Sequence, residues 1–403
     1  GLCDLNLVRL EGARCEVEKL GARVTCYPAA DFDRMLRELK PDTVIVTTKD
    51  SLHDDYICRA MEAGCDVVTE KPMTIDEHRC ARILGTQKRT GRKITVTFNY
   101  RYSPPRTQIK DLLMSGVIGT VLSVDFHWML DTYHGAEYFR RWHANKENSG
   151  GLMVHKATHH FDLVNWWLSS VPETVYARGA RKYYTSHTAD RMGLTRRAAR
   201  CLECPDAERC PFRLDLRRHD TLRALYLDAE QHDGYIRDQC IFRDSIDIED
   251  SMNLVVHYRS GATMSYSLNA FTPWEGYTVA FNGTKGRLEH KCTEMSYRSG
   301  DGTVPGELVP DETYIQIYPA FQPGYRVPLW TGAGGHGGGD PLIMDAIFNP
   351  APAPDKYCRA SNHWGGAWSI LTGIAANHSM RSGAAVRPGD LVPGLDLPDY
   401  PPM

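Results

Sequence analysis

A chain of 403 residues is too long for one ordinary core and suits two, and its 42% apolar and 24% charged residues match a globular protein. Lys and Arg number 47 against 50 Asp and Glu, a net charge of -3, which leaves no electrostatic footprint for nucleic acid as a partner. No run of about eighteen apolar residues occurs, which excludes a helical membrane span.

The chain opens on Gly1-Leu2-Cys3-Asp4, read as the end of a strand already under way. Leu7 to Leu20 has helical spacing, Val24 to Tyr27 is a short strand, and Asp31 to Leu39 is a helix with Asp31 as its N-cap. Thr43 to Thr47 is a continuous β-branched run, the mark of a strand buried on both faces of a parallel sheet. His53 to Gly64 is helical, Asp66 to Thr69 a strand, Ile75 to Gly91 a helix and Ile94 to Phe98 a strand. This alternation predicts an α/β fold, a doubly wound parallel (Rossmann-like) sheet over residues 1–101.

After Tyr102 the pattern changes. A helix from Thr107 to Gly116 leads into period-two strands at Val121–Phe126, Ser251–Tyr258, Thr263–Asn269 and Thr278–Asn282. They predict a second α+β domain over 102–387 with a largely antiparallel open sheet, interrupted by a cysteine-rich insertion at 196–242. A last helix is expected around Gly366 to Met380, and the proline-rich tail 388–403 is expected to wrap a surface.

A parallel sheet binds ligands beyond the carboxyl ends of its strands. Asp4 stands at such an end, where an acid takes the ribose hydroxyls of a dinucleotide and favours NAD over NADP; its plain alternative is a turn or cap residue. Glu70-Lys71-Pro72 follows a buried strand at the edge shared with Thr47-Thr48. A lysine beside a nicotinamide can donate to a substrate hydroxyl and hold charge near the transferring hydride; a surface Glu–Lys pair is the alternative. Further on, glycines open a stretch, Ser149 to Asp162, in which His155, His159 and Asp162 fall on one helix face. Oxidising a carbinol requires its hydroxyl proton to be taken up, and an imidazole titrates in the useful range. The stretch His134 to His143, with Tyr138, Arg141 and Trp142, has the aromatic faces and polar groups that a polyhydroxylated ligand uses, although core aromatics on a helix would look the same.

These stretches carry a resemblance. Pro41 to Thr74, PDTVIVTTKDSLHDDYICRAMEAGCDVVTEKPMT, resembles the glucose-fructose oxidoreductase and inositol dehydrogenase (Gfo/Idh/MocA) family, and the likeness continues through Asn99-Tyr100-Arg101, Ser149-Gly150-Gly151, His159 with Asp162, and Asn282 to Gly286. The resemblance implies that Lys71 is a catalytic lysine, that Glu70, Thr47, Thr48 and His53 surround the cofactor, and that His159 is the catalytic histidine with Asp162 the later acid. His155 stands where the family often has Asp, and Thr48 where it usually has Pro. The glycine-rich loop of the family is expected about two dozen residues ahead of Asp4. Asn99, Arg101, Lys156, and the loop residues Asp233 and Tyr235 complete the substrate candidates, with His336 and Asp340 in a glycine-rich loop beyond them.

Of the 12 cysteines, Cys201, Cys204, Cys210 and Cys240 cluster in the insertion at spacings that suit a structural zinc; an iron–sulfur cluster, disulfides or free thiols are the alternatives. The expected activity is NAD-dependent oxidation or reduction of a sugar, glycoside or cyclitol hydroxyl. A glycoside hydrolase or epimerase working through a transient keto sugar is the alternative, and a non-catalytic binding subunit a third. A homo-oligomer is expected, in the cytoplasm by default with export left open.

Overall fold

The computed structural model describes residues 1–295 and 312–403. The first hundred alternate as β1 (Leu2–Asp4), α1 (Leu7–Lys19), β2 (Cys26–Pro28), α2 (Phe32–Leu39), β3 (Thr43–Val46), α3 (His53–Glu62), β4 (Asp66–Thr69), α4 (Glu77–Thr90) and β5 (Ile94–Val96). β3, β4 and β5 pair in parallel, with Val67 opposite both Val44 and Ile94, and β1 and β2 form a separate parallel pair. Among the described residues these are two separate sheets, with no described strand joining β1 to β3.

That arrangement corrects the reading of β3. Val44 and Val46 are buried, whereas Thr43 is exposed and Ile45 is 54% exposed, because β3 is an edge strand with one face left uncovered by the described elements. Asp31 makes no capping hydrogen bond; it ends a 3-10 turn before α2 and pairs with Arg34. Asp76 does cap α4, accepting from the Arg79 N–H at 2.8 Å.

The second domain begins with α5 (Pro104–Met114), β6 (Val121–Asp131) and α6 (Thr132–Arg140), then α7 (Lys146–Ser149), α8 (Leu152–His155), α9 (Thr158–Leu168) and β7 (Pro172–Ala180). After the insertion come β8 (Ser251–Tyr258), β9 (Thr263–Thr272), β10 (Glu275–Gly283), β11 (Gly286–Met295), β12 (Tyr314–Pro319) and β13 (Tyr325–Val327). An irregular α10 (Gly335–Phe348), β14 (Ser361–Asn362) and α11 (His363–Ser382) follow. Eight strands form one sheet in the order β13-β12-β11-β10-β6-β9-β8-β7, antiparallel except where β6 meets β9. Period-two patterning puts Met252, Leu254, Val256, Met264, Tyr266 and Leu268 on the inner face, where they join the core that contains the wholly buried α9.

α11 joins the two cores. Its first half, Ala367, Ile370, Leu371 and Ile374, packs into the core of the parallel sheet, and Ala375 and Ala376 pack into that of the second domain. The proline-rich tail is docked: it forms one helical turn (Pro388–Leu391), Trp368 Nε1 donates to the Asp396 carbonyl at 2.9 Å, and Ser169 Oγ donates to that of Pro401. Among the described residues no helix is long and apolar enough to cross a membrane.

Candidate active site

Three turns at the carboxyl ends of parallel strands line one rim. β1 ends on Asp4, β3 runs into Thr47-Thr48-Lys49-Asp50, and β4 runs into Glu70-Lys71-Pro72 with a cis Lys71–Pro72 bond. Thr47, Thr48 and Glu70 are exposed on that rim, while Asp50 is 3% exposed. His53, placed beside the cofactor by the resemblance, is wholly buried: its ring nitrogens lie 2.9 Å from the Pro72 carbonyl and 3.0 Å from that of Thr48. It braces the two turns against each other and faces no open space. Asp4 accepts the Asn6 N–H at 2.7 Å, so it shapes the turn into α1 while staying partly exposed.

The second domain supplies histidines to the same place. Gly150 and Gly151 turn the chain with φ of 69° and 77°; a Cβ on Gly150 would stand 2.7 Å from that of Val154. The expected single helix through Asp162 is broken at Lys156-Ala157. The Ala157 N–H reaches back to the Leu152 carbonyl and that of His159 only to Lys156, so the backbone cannot keep a 3.6-residue register. His155, His159 and Asp162 therefore meet different partners.

His155 Nδ1 lies 2.5 Å from Asp50 Oδ2, and Lys71 Nζ donates to the His155 carbonyl at 3.3 Å. Burial above all, then the charges of Lys71, His143, Arg141 and Lys156, hold His155 well below the ordinary histidine range. Burial pushes the Asp50 carboxyl well up, with Lys71 acting against it. Burial also draws the Lys71 ammonium down to about 8, while Asp50 counteracts. The result is a buried carboxylate–imidazole pair beside a half-buried lysine. His159 stacks on Tyr100 (ring centroids 4.2 Å apart, 16° between planes), itself backed by the Arg106 guanidinium at 4.0 Å. Burial, Lys71 and Lys156 keep His159 neutral as well, and its buried Nδ1 has no partner.

Asp162 and Arg101 turn away from this cluster. They form a bidentate ion pair at 2.6 and 2.7 Å with side chains 0% and 2% exposed, tying α9 to the turn at residues 99–102. Removing one partner of such a pair costs about 3–5 kcal/mol, so the pair fixes α9 against that turn.

The aromatic stretch is brought to the site. His134 Nδ1 is 2.8 Å from Glu275 Oε1, its Nε2 is 3.2 Å from the Tyr138 hydroxyl, and Trp142 stacks on His143 at 3.6 Å. Lys156 Nζ sits over the Trp128 ring at 4.5 Å. Asn99 donates to Asp340 Oδ1 at 2.9 Å, which also meets His336 Nδ1, linking the glycine-rich loop to Tyr100's neighbourhood. Buried atoms without a protein partner include His143 Nδ1 and Asn99 Oδ1, while the Arg141 guanidinium and the Tyr235 hydroxyl meet each other. Asp233 is displaced from the site, because it forms a salt bridge with Arg9 of α1. Beside these residues stand Asp50, Tyr100, His143 and Glu275: Asp50 and Tyr100 lay in stretches that carried the resemblance and His143 in the aromatic stretch, while Glu275 lay in none of them.

The structure does not support the zinc expectation. Cys201, Cys204, Cys210 and Cys240 line one cavity of about 20 Å³, but among the described residues no group of three or more His, Cys, Asp or Glu side chains is placed to hold a metal ion. Hydrogen bonds organise the insertion. Buried Arg140 donates to Cys201 Sγ at 3.2 Å, to the Gln239 carbonyl and to that of Phe212 at 2.6 Å, and Asp238 accepts from Leu202 N–H and from Arg200.

Asp4 stands at the end of β1, and Thr47, Thr48, Glu70 and Lys71 at the ends of β3 and β4, the strand ends at which a parallel sheet takes a dinucleotide. Among the described residues no strand–glycine–helix turn opens on the pyrophosphate position between them.

Comparison with known proteins accords with this layout. Residues 7–98 match the model of the oxidoreductase family's NAD-binding Rossmann fold, and residues 110–387 that of its C-terminal alpha/beta domain. A Bacillus subtilis (strain 168) protein, YteT, which carries an oxidoreductase name, is 38% identical over 384 residues, covering 93% of this chain and 87% of its own. Inositol 2-dehydrogenase 2 of Saccharopolyspora erythraea is 30% identical over 195 residues, 48% of this chain and 50% of its own. The fold matches that of the WlbA dehydrogenase of Bordetella pertussis, solved with NADH and UDP-GlcNAcA, at a TM-score of 0.60 and 19% identity over 96% of this chain and 88% of that one.

Proposed function

This chain belongs to the Gfo/Idh/MocA oxidoreductase family, and on that premise we propose that it oxidises or reduces a hydroxyl of a sugar, glycoside or cyclitol, with NAD as the hydride carrier. One observation carries the reading: Lys71, from the parallel sheet, meets the Asp50–His155 pair across the domain boundary, with His159 alongside. NAD, when bound, supplies the hydride acceptor. Lys71 donates to the substrate oxygen and steadies the charge that develops there, and His155, oriented by Asp50, takes the hydroxyl proton. His159 is neutral against Tyr100 and offers a second acceptor on the same side. The orphaned atoms of His143 and Asn99 suit a ligand rich in hydroxyls, since each buried unmet group costs about 1–3 kcal/mol until it is paired. The exposed Leu122 and Val255 on the outer face of the large sheet are where a second copy of the chain would pack.

The test is NADH formation from NAD and a panel of sugars, glycosides and cyclitols, with Lys71→Met as the control. Wild-type turnover with at least a 10³-fold loss in Lys71→Met, at unchanged circular dichroism, supports the reading; equal rates in the two proteins would overturn the site. Deuterium entering the product in D2O without net NADH would move the activity to the recycled-cofactor class.

A further inference from the structure

Beside the site, three guanidiniums share one carboxylate. Glu137, on α6, pairs with Arg237 of the insertion and accepts from Arg140 Nε at 3.3 Å. Burial pushes its carboxyl up, and the charges of Arg237, Arg140 and Arg141 together hold it below the usual carboxylate range. The acids of the neighbouring insertion are already taken: Asp233 pairs with Arg9, and Glu230 and Asp238 pair with Arg200. Arg140 directs its other donors to Cys201 and two carbonyls, and the Arg141 guanidinium meets the Tyr235 hydroxyl. Arg237 is left half used. Its Nη2 serves Glu137, while Nε and Nη1 are buried and meet no protein acceptor among the described residues, in a residue only 7% exposed. Buried charged donors without an acceptor are costly, and one carboxylate among three guanidiniums leaves the cluster positive.

This cluster borders the reacting groups. Arg141 is followed by Trp142 and His143, and the His143 ring meets that of His155 at 4.3 Å. Burial, then the charges of Arg141, Lys71 and Arg237, hold His143 well below the ordinary histidine range, so both arginines act where the lysine acts. The loop that carries Arg237 is fixed on both sides. The Tyr235 N–H donates to Asp233 Oδ1 at 3.1 Å, and wholly buried Asp238 accepts from Arg200 and from the Leu202 N–H at 2.9 Å. The guanidinium is thus held in place before a ligand arrives, which lowers the ordering cost of binding one.

We propose that the sugar acted on carries an acidic group, a uronate carboxylate or a phosphate ester, and that the free Nε and Nη1 of Arg237 bind it. The inference rests on the function proposed above and names its substrate class. The anion supplies the acceptor that the protein withholds from Arg237 and offsets the excess positive charge around Glu137. Its hydrogen bonds are charge-assisted, the stronger kind. The rest of the sugar then lies toward His143, Lys71 and the Asp50–His155 pair, whose unmet and polar atoms suit hydroxyls. A neutral sugar would leave the Arg237 donors unpaired, so the site discriminates against it by that penalty as well as by lost attraction.

The experiment titrates the full-length protein, with NAD present, by calorimetry with matched methyl glycosides: a neutral sugar, its uronate and its phosphate ester, in the gluco, galacto and manno series. Wild type is expected to bind one of the two anions at least about 30-fold tighter than the matching neutral sugar, and the better anion names the source. Arg237→Gln, which leaves Glu137 paired with Arg140, should abolish that preference, and Arg237→Lys should restore part of it. Glu137→Gln/Arg237→Gln removes both halves of the pair and gives the same reading if circular dichroism shows the single variant unfolded. Equal affinity for neutral and acidic glycosides in wild type would overturn the anion site, as would no binding of any glycoside or a preference that survives loss of Arg237. Weaker NAD binding in Arg237→Gln, with glycoside binding unchanged, would give the arginine to the cofactor and overturn it too. NADH formation from the same glycosides separates the two readings. Neutral sugars oxidised with no preference for the acid would leave the proposed function standing without the anion site. An acid bound through Arg237, with no NADH from any glycoside, would keep the site and overturn the activity.

Discussion

At the residue scale, the group with the most to say about the chemistry is Lys71. Its ammonium titrates at about 8 because burial disfavours the charge, while the Asp50 carboxylate acts to keep it. A lysine that must donate a hydrogen bond works only while protonated, so kcat/KM should be flat below about pH 8 and fall tenfold per unit above it. Asp50→Asn removes the carboxylate that raises the lysine's value, so the inflection should move to lower pH. The same change leaves His155 without its orienting partner and should lower kcat by about 10²-fold at pH 7. A pH–rate series on both proteins checks this; an inflection that stays in place would separate Asp50 from Lys71. Lys71, His155 and His159 were legible in the sequence as candidates because each sits in a short stretch, Glu-Lys-Pro after a strand or histidines after paired glycines. Asp50 was not, because an acid in a strand–helix turn is usually a cap and only the fold places it 2.5 Å from a histidine 105 positions away. Asp162 meets Arg101 and not the histidines for a related reason: helical periodicity says which face a residue occupies, and here the helix breaks before the face is continuous.

At the element scale, the insertion shows how cysteines at a metal-like spacing can gather without forming a ligand set among the described residues. Four cysteines do gather around one cavity, yet the hub of the packing is Arg140, contributed by α6 and invisible in any reading of the insertion by itself. The insertion also reaches the parallel sheet. Asn6 Nδ2 donates to the Ala229 carbonyl at 3.0 Å, Arg9 donates to that of Leu225 and pairs with Asp233, so the segment straps α1 to α6. If hydrogen bonds organise it, chelation with EDTA should leave its resistance to trypsin unchanged, whereas Arg140→Met should open it to cleavage within the arginine-rich stretch 213–223. Loss of protection on chelation, with Arg140→Met inert, would reverse the assignment. The regular elements were easier to read. Period-two alternation in β8 and β9 marks one buried face directly, whereas β3 looked doubly buried because β-branched composition reports strand propensity and cannot report which faces have neighbours.

At the scale of the whole molecule, the site lies on a seam, since Lys71 and Asp50 belong to one core while His155 and His159 belong to the other side. A seam of this kind needs a rigid weld if Lys71 is to stay within 3.3 Å of the His155 carbonyl. α11 is that weld, with Ile370 at 0% exposure in the first core and Ala376 at 0% in the second. It approaches the catalytic segment so closely that a Cβ on Gly373 would lie 2.1 Å from the Met153 carbonyl oxygen, and one on Gly366 would lie 2.8 Å from Val96. Two cores sharing one helix should unfold together, so calorimetry is expected to show a single transition in the wild-type protein. Gly373→Val would have to push α11 off α8 and should cost about 1–3 kcal/mol or more. Because α8 ends on His155, activity should fall further than stability alone explains at a temperature where the variant is still folded. Gly12→Ala, on α1 with nothing within 4 Å of the new methyl, is the matched control and should change neither property for the worse. Two separate transitions, or full activity in Gly373→Val, would show that the domains hold their alignment without the helix and that the seam is positioned by the short loops of the site.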